Sequence, residues 1–361
     1  MADHTYLAAD LRTGTIVDEL PLLDVSYAEV LNGAGGFTAR LPMSAAHGDR
    51  TIAMLISASE PARTGLFIDR DGTIVWGGII WTRRYATGRR ALDLGGQQLW
   101  SYFRHRNLTA TLSYTATDQG AIMKALIDHA QAKPGGNIGV TVPTPTASIS
   151  RARTWYSYER QNIGRLVEAL ANVDSGPDFS LDCAYTAGVI TKTFHSWWPR
   201  KGRIAGQTGH VFELPGNLVS YDMAEDATAS ATTVHAVGYG EGDNMALSTR
   251  SNTTLIDGGY PLLETVLALK DVKEQATLNG IVAAELAVYA DAVTTWKAVV
   301  RADMDPVLGS WVVGDDCRVR ITDDRFPAPG YDSYHRIIGA TVKPGDGTTP
   351  EFVELDLADT F

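Results

Sequence analysis

The first hundred residues alternate short apolar runs with turn residues, a pattern typical of antiparallel β-hairpins. One turn, at residues 12–14, ends in Gly14, and a second is built on Asp71-Gly72. Asp-Gly between two runs of β-branched or aromatic residues is a strong hairpin signal, because both turn positions require positive φ. Several strands at this spacing favour a sandwich or barrel. The predicted strands are residues 5–11, 15–17, 65–69, 73–76, 77–82 and 90–94.

The middle of the chain changes to the spacing of helices. After Thr117-Asp118, a capping pair, apolar residues recur at helical intervals from Ala121 to His129, and the Pro-Gly-Gly sequence at 134–136 ends that helix. A second helix carries apolar residues on one face from Ile163 to Leu170. The remaining segments are an extended, proline-containing linker at 140–145 and a predicted hairpin formed by 179–183 and 188–194.

The last third opens with a predicted strand at 232–238. A helix follows, with Leu278, Ile281, Val282, Leu286 and Tyr289 on its apolar side. Five short strands then predict a small barrel-like sheet that carries this helix. They are residues 295–301, 309–313, 317–321, 334–338 and 351–355.

These patterns predict an α+β chain that is mainly β, and a length of 361 residues suits two or three domains. We place a β-barrel domain at 1–105, a smaller α+β insert at 106–225 and a second β-barrel domain with one helix at 226–361. With 44% apolar and 20% charged residues, the chain can bury full-sized cores.

Charge argues against one class of function. The net charge is −11, whereas proteins that grip nucleic acid do so through Lys and Arg. An acidic surface suits a channel through which DNA passes without sticking, although ordinary solubility explains the charge equally well.

Nothing in the sequence indicates secretion or membrane insertion. The N-terminal residues lack the basic region and apolar core of a signal peptide, and no apolar run approaches the ~18 residues of a membrane helix. Cys183 and Cys317 lie far apart in sequence and predict two buried, unpaired thiols in a protein made in reducing cytoplasm.

Three acidic pairs are the best enzymatic candidates: Asp303/Asp305, Asp315/Asp316 and Asp323/Asp324. They lie where strands are predicted to turn, and Asp favours turns through its own backbone hydrogen bonds. We interpret them as solvated or lumen-lining carboxylates, with divalent-cation binding and glycan hydrolysis as alternatives.

The other motifs carry little chemistry. Residues 238–242 lack the spacing of a dinucleotide loop, and the histidines form no tight ligand pair. Trp197-Trp198, followed by Arg200 and Lys201, suits either stacking on a sugar or partner protein or a strand end that packs into the core. The sequence therefore predicts no catalytic, cofactor-binding or metal-binding residues and no cofactor.

The order of short landmarks along the chain resembles minor tail proteins of siphophages that infect actinobacteria. In the C-terminal half they are residues 237–242, 260–264, 305–309, 313–316 and 336–339. In the N-terminal half they are Tyr6 and residues 10–14, 19–22, 61–64, 70–72, 75–78 and 99–102. Such proteins are similar to the baseplate hub family, which includes the hub part of type VI secretion spikes.

The resemblance implies two tail-tube-like β-barrel domains and a homotrimeric ring that adapts a hexameric tail tube to a threefold tip. It implies a virion protein made in the host cytoplasm, with the distal tail protein, the tape measure protein and other tail-tip proteins as partners. DNA would be present only in transit, and no membrane anchor is expected. No cell-wall hydrolase module is expected beyond Phe361. The alternative function is that of a receptor-binding, carbohydrate-binding or glycan-active tail protein.

Overall fold

The computed structural model describes residues 2–43, 51–145, 148–173, 175–270, 272–290, 292–345 and 348–360. The chain is mainly β, as the sequence predicts. It divides into a larger unit, Met1–Tyr221 with Lys297–Phe361, and a smaller unit, Asp222–Trp296. The predicted division into three domains, with its two barrels, stays a prediction.

The strands are His4–Asp10 (β1), Ile16–Glu19 (β2), Leu23–Val30 (β3), Gly36–Pro42 (β4), Thr64–Arg70 (β5), Thr73–Ala86 (β6), Ala91–Gln98 (β7), Leu112–Asp118 (β8), Val140–Thr141 (β9), Ser150–Trp155 (β10), Asp178–Thr186 (β11), Val189–Trp197 (β12), Val211–Leu214 (β13), Leu218–Asp226 (β14), Thr233–Val237 (β15), Leu247–Ser251 (β16), Glu264–Ala268 (β17), Val293–Arg301 (β18), Asp316–Ile321 (β19), Tyr331–Lys343 (β20) and Phe352–Asp359 (β21). The α-helices are Ile52–Ala58 (α1), Gln119–Gln131 (α2), Ile163–Ala171 (α3), Thr253–Asp257 (α4) and Gln275–Tyr289 (α5), and Leu99–His105 forms a 3₁₀ helix.

One large sheet joins strands from both ends of the chain. Its main path runs β14-β18-β21-β20-β3-β4-β7-β6-β5-β1-β2. Strand β19 branches from β20 and pairs on its other side with β13. The junction is the antiparallel pair of β3 and β20, in which Tyr27 lies opposite Val342. Both residues are buried, so the pairing register is fixed by apolar side chains that face the core. The N-terminal and C-terminal segments thus form one continuous wall.

Residues between 99 and 197 build an α+β layer around one aromatic core. Helix α2 begins after Asp118, whose carboxylate accepts the backbone N–H of Ala121 at 3.0 Å, as the predicted N-cap requires. Helices α2 and α3 present their apolar faces to the hairpin of β11 and β12. Trp100, on the 3₁₀ helix, lies at the centre of this core with its ring centroid 4.5 Å from that of Phe179.

The smaller unit is a three-stranded sheet with one helix packed on it. Strand β15 lies between β16, which is antiparallel to it, and β17, which is parallel. Leu278, Val282 and Leu286 of α5 pack against Val234 and Ala236 of β15. The predicted helix is therefore confirmed, but it packs on the strand at 233–237 instead of the strands that follow it in sequence.

The hairpin predictions are confirmed, whereas one strand prediction is wrong. Residues 309–313 form an irregular loop, although Trp311 and Val313 are buried. Backbone hydrogen bonds close locally within this loop, for example from Ser310 N to Val307 O at 3.0 Å. Gly309 and Gly314, both with positive φ, bend the chain at its two ends. The alternating apolar residues fill the core without joining a sheet.

Gly14 should be far less tolerant of substitution than Gly72. Both have positive φ, but a Cβ on Gly14 would lie 2.2 Å from the carbonyl oxygen of Ile190, whereas one on Gly72 would meet open space. We expect Gly14→Ala to lower the free energy of unfolding by about 2–3 kcal/mol and Gly72→Ala by about 1 kcal/mol. Chemical denaturation of both variants measures this difference. Equal losses would contradict the close approach of Gly14 to the carbonyl oxygen of Ile190.

Candidate functional site

The three acidic pairs predicted from sequence lie in different environments. Asp303 is exposed and pairs with Arg301, which donates to it at 2.7 Å. Asp323 closes a turn by accepting the backbone N–H of Phe326 at 2.8 Å, so the turn interpretation holds there. Asp315 and Asp316 are buried, at 0% and 2% exposure. The interpretation of that pair as solvated or lumen-lining carboxylates is wrong.

Asp315 and Asp316 belong to a partly buried assembly of ion pairs and hydrogen bonds that we call the ion-pair cluster. Its members are contributed by the segment after β12, by the loop before β19 and by the starts of β11 and β19 and the middle of β20. They are Asp178, Arg200, Lys201, Arg203, Asp315, Asp316 and Arg336. Of these residues, only the Trp-Trp-Pro-Arg-Lys run and one acidic pair stood out in the sequence.

Asp315 has both carboxylate oxygens occupied. Arg203 donates to it from its guanidinium and, at 2.7 Å, from its backbone N–H, and Val312 donates its backbone N–H at 3.2 Å. Burial raises the pKa of Asp315, but the hydrogen bonds from Arg203 and Val312 outweigh burial and hold the pKa below its usual range. Arg203 also contacts His210, with 2.8 Å between guanidinium and ring nitrogen.

Asp316 fixes the chain that follows the cis-proline turn after β12. Its carboxylate accepts the guanidinium of Arg200 and, at 2.7 Å, the backbone N–H of Ala205. Arg200 also donates to the carbonyl of Gly314 at 2.7 Å. The basic half of the Trp-Trp-Pro-Arg-Lys run is thus committed to internal contacts and does not form an exposed basic surface.

Asp178 connects the α+β layer to the large sheet. It accepts the guanidinium of Arg336 on β20 and the backbone N–H of Lys201 at 2.7 Å. Asn32, in the loop between β3 and β4, donates its side-chain amide to Asp178 at 2.7 Å and accepts the N–H of Phe179 at 2.7 Å.

A second buried ion pair joins the two ends of the chain. Glu351, just before β21, accepts the guanidinium of Arg70 at 2.8 Å and lies 3.2 Å from His4. Burial raises the pKa of Glu351, but the contact with His4 and the hydrogen bond from Arg70 outweigh burial and lower the pKa below its usual range. This pair crosses from β5 to the start of β21.

The geometry of these clusters suits structural fixation better than catalysis. A general base needs a lone pair directed at a substrate, whereas Asp315 accepts protein donors on both oxygens. Buried pairs of this kind fix the register of the segments that they join. Among the described residues, no group of three His, Cys, Asp or Glu is placed to hold a metal ion.

Two cavities lie on the sheet near Trp76. One of about 200 Å³ is lined by Trp100, Phe179 and Cys183, and one of about 190 Å³ by Tyr27 and Trp311. Both are smaller than the ~300–1,000 Å³ of ordinary ligand pockets.

Burial raises the pKa of the Cys183 and Cys317 thiols, which makes them poor nucleophiles. Cys317 is buried as predicted, while Cys183 is half-buried.

The two tryptophans differ in exposure. Trp197, the last residue of β12, is 36% exposed and donates its indole N–H to Ser180 Oγ at 3.0 Å, and Trp198 is half-buried.

In the part of the chain that the structure describes, no helix has the length and apolar character needed to cross a bilayer.

Acid should destabilise the protein in two stages. Burial lowers the pKa of His210 and of His335 below the ordinary ~6.5. The unfolded state therefore takes up these protons first, and stability falls as pH drops through that value. The lowered pKa values of Asp315 and Glu351 act in the same direction below pH ~4, where the unfolded carboxylates protonate first.

Denaturant titrations from pH ~8 to ~3 measure both stages. His335→Gln should reduce the first stage, to which His210 still contributes, and leave the second unchanged. A stability that rises on acidification from neutral pH would contradict the assignment of these groups.

Comparison with known proteins gives matches in structure and none in sequence. No protein-family model matches the chain, and neither does any curated protein sequence. Among solved structures, a tail protein from Neisseria meningitidis matches 98% of this chain and 96% of its own, with a TM-score of 0.59 at 14% identity. A prophage tail protein from Shewanella oneidensis matches 98% of both chains, with a TM-score of 0.61 at 10% identity.

A prophage tail protein from Listeria monocytogenes matches 98% of this chain and 94% of its own, with a TM-score of 0.51 at 9% identity. At these identities the similarity concerns the fold. The chain has, over nearly its whole length, a fold found in phage and prophage tail proteins.

Proposed function

We propose that this chain is a structural virion protein, the hub at the distal end of a phage tail. The observation that carries the proposal is the match of fold to two tail proteins, over 98% of this chain and 96% and 98% of theirs. The order of sequence landmarks adds the finer assignment, a minor tail protein of a siphophage of actinobacteria. Both carboxylate oxygens of Asp315 accept hydrogen bonds from within the protein, which supports a structural role instead of catalysis.

Three copies form a ring that adapts a hexameric tube to a threefold tip. The large sheet supports this arrangement, because it contains strands from both ends of the chain and so supplies a wide, continuous wall. Two tube-like barrels per chain would give six similar walls per ring. The distal tail protein and the tape measure protein are the neighbours along the axis.

Charge supports passage of DNA through such a ring. Three copies at −11 carry about −33 in total. A DNA duplex bears one negative charge per ~1.7 Å of its axis, so basic walls would retain it, whereas acidic walls let it slide. The repulsion is screened beyond about 8 Å at physiological salt, and acts only near the wall.

Labelling of intact particles with an antibody to this chain tests its location. We expect label at the tail tip, on the axis. Label on the head or along the whole tube would contradict the proposal.

The chain is proposed to act without hydrolysis. Pure protein should not degrade cell-wall polymer, and Asp→Asn changes at positions 303, 305, 315, 316, 323 and 324 should change no such activity. Robust hydrolysis that is lost on one of these changes would favour the glycan-active alternative.

A further inference from the structure

Helix α1 exposes an unusual amount of apolar surface. Ile52, Met54 and Ile56 are 45%, 51% and 41% exposed, while Leu55 and Ala58 are its buried residues. A helix that is apolar on all sides is normally covered on all sides. Leu55 and Ala58 thus face the protein, whereas within the described residues the side of α1 that carries Ile52, Met54 and Ile56 is left exposed.

The surface beside α1 continues the apolar patch. Tyr85 on β6 is 55% exposed and, with Ile52 and Ile56, lines a cleft of about 390 Å³. On the other side, Met54 and Val17, which is 58% exposed, line a cleft of about 270 Å³. We call these five residues the α1 patch. The helix thus forms a ridge with a cleft on each side, a shape that can be complementary to a partner surface.

Two hydrogen bonds fasten the two ends of α1. Thr51 caps the helix by accepting the N–H of Met54 at 3.2 Å. Arg83 on β6 donates to the carbonyl of Ile56 at 2.5 Å and ties the end of the helix to the hairpin. A preformed surface loses less entropy on binding than a mobile one.

One rim of the patch is basic in an acidic chain. The end of the β6–β7 hairpin carries Arg83, Arg84, Arg89 and Arg90 against one carboxylate, Asp93. Because the whole chain has a net charge of −11, the rest of it is still more negative. Another copy of the chain therefore carries an excess of acidic over basic residues with which this rim can pair. Arg, Tyr and Met are also the residues enriched at protein interfaces.

We propose that the α1 patch is one half of the contact between neighbouring copies of this chain, and that it docks on an acidic surface of the second copy. The proposal rests on the ring proposed above. In a threefold ring each contact is heterologous, so a basic apolar patch on one copy meets a different surface on the next. Complementary charge then selects the neighbour and fixes its register.

Photo-cross-linking in assembled particles tests the proposal. A photoreactive amino acid replaces Met54, and mass spectrometry of the irradiated particles identifies the partner. We expect a product between position 54 of one copy and a peptide of a second copy. The same replacement at Val307, which is 43% exposed and outside the patch, is the matched control. It should give at least ~10-fold less of that product.

Other products overturn the proposal. A product with DNA, with a different tail protein, or with the same copy alone would assign another role to the patch. The double change Arg84→Glu and Arg89→Glu should reduce incorporation into particles ~10-fold, a loss of about 1.4 kcal/mol, and unchanged incorporation would exclude the charge argument.

The outcomes also separate this proposal from the proposed function. A ring of three copies at the tail tip without the product at position 54 leaves the function standing and removes the patch. If the chain is not at the tail tip, both proposals fail.

Discussion

Arg336→Met should lower the free energy of unfolding of the larger unit by about 3–5 kcal/mol. Arg336 is the guanidinium partner of Asp178, which is buried, and it also donates to the carbonyl of Gly314 at 3.2 Å and of Lys201 at 3.1 Å. Methionine fills a similar volume but leaves the Asp178 carboxylate without its cation. An uncompensated buried charge costs far more than the pair contributes.

Chemical denaturation of the full chain, followed by tryptophan fluorescence, measures this loss. Arg63→Met is the matched control, because Arg63 is 73% exposed and pairs with Glu60 only at 3.5 Å. Its loss should stay below ~1 kcal/mol. Equal effects of the two changes would mean that the ion-pair cluster does not fasten the α+β layer to the sheet.

Trp100→Ala should cost about 3–5 kcal/mol, the usual range for a fully buried aromatic residue. Its ring lies 4.5 Å from that of Phe179, 5.1 Å from Phe103 and 5.8 Å from Phe194, and it is 1% exposed. Its indole N–H donates to Glu168 on α3 at 2.7 Å. Alanine leaves a cavity where the 3₁₀ helix, α3 and the β11–β12 hairpin meet.

Two further variants distinguish packing from the hydrogen bond. Trp100→Phe keeps most of the ring and should cost about 1–2 kcal/mol, since Glu168 retains Arg104 at 2.7 Å. Trp197→Ala removes an exposed tryptophan and should cost less than ~1 kcal/mol. A loss at position 197 as large as at position 100 would contradict the placement of the core.

Local structure was predictable where one or two residues decide it. Asp71-Gly72 and Gly14 specify hairpin turns through positive φ, and Asp118 specifies a helix start through its carboxylate. These signals act over a few residues, so they can be read without knowledge of the rest of the chain.

The pairing of distant segments was not predictable in this way. Strands β3 and β20 lie about three hundred residues apart, and their register depends on which apolar faces meet in the core. The loop at 309–313 misled the strand prediction because Trp311 and Val313 alternate as in a strand, while the backbone bonds close locally. Alternating apolar residues indicate which side chains are buried, but a buried side chain need not belong to a sheet.

The ion-pair cluster escaped prediction for a related reason. An Asp pair beside a Gly is a sequence pattern typical of a turn. The positive charges that pair with Asp315 and Asp316 come from Arg203 and Arg200, which lie more than a hundred residues earlier in the chain. The adjacent basic residues at 200 and 201 were the available signal. The sequence leaves them either at a stacking surface or at a strand end that packs into the core, because it does not show which carboxylates they meet.

The proposed hub role is tested most directly by the symmetry of this chain in the assembled particle. An image of the tail tip at a resolution that traces the chain will count its copies and place them relative to the tail axis. We expect three copies in a closed ring on the axis, with the large sheet forming its wall. Six copies around the axis, or copies on peripheral fibres, would contradict the proposal.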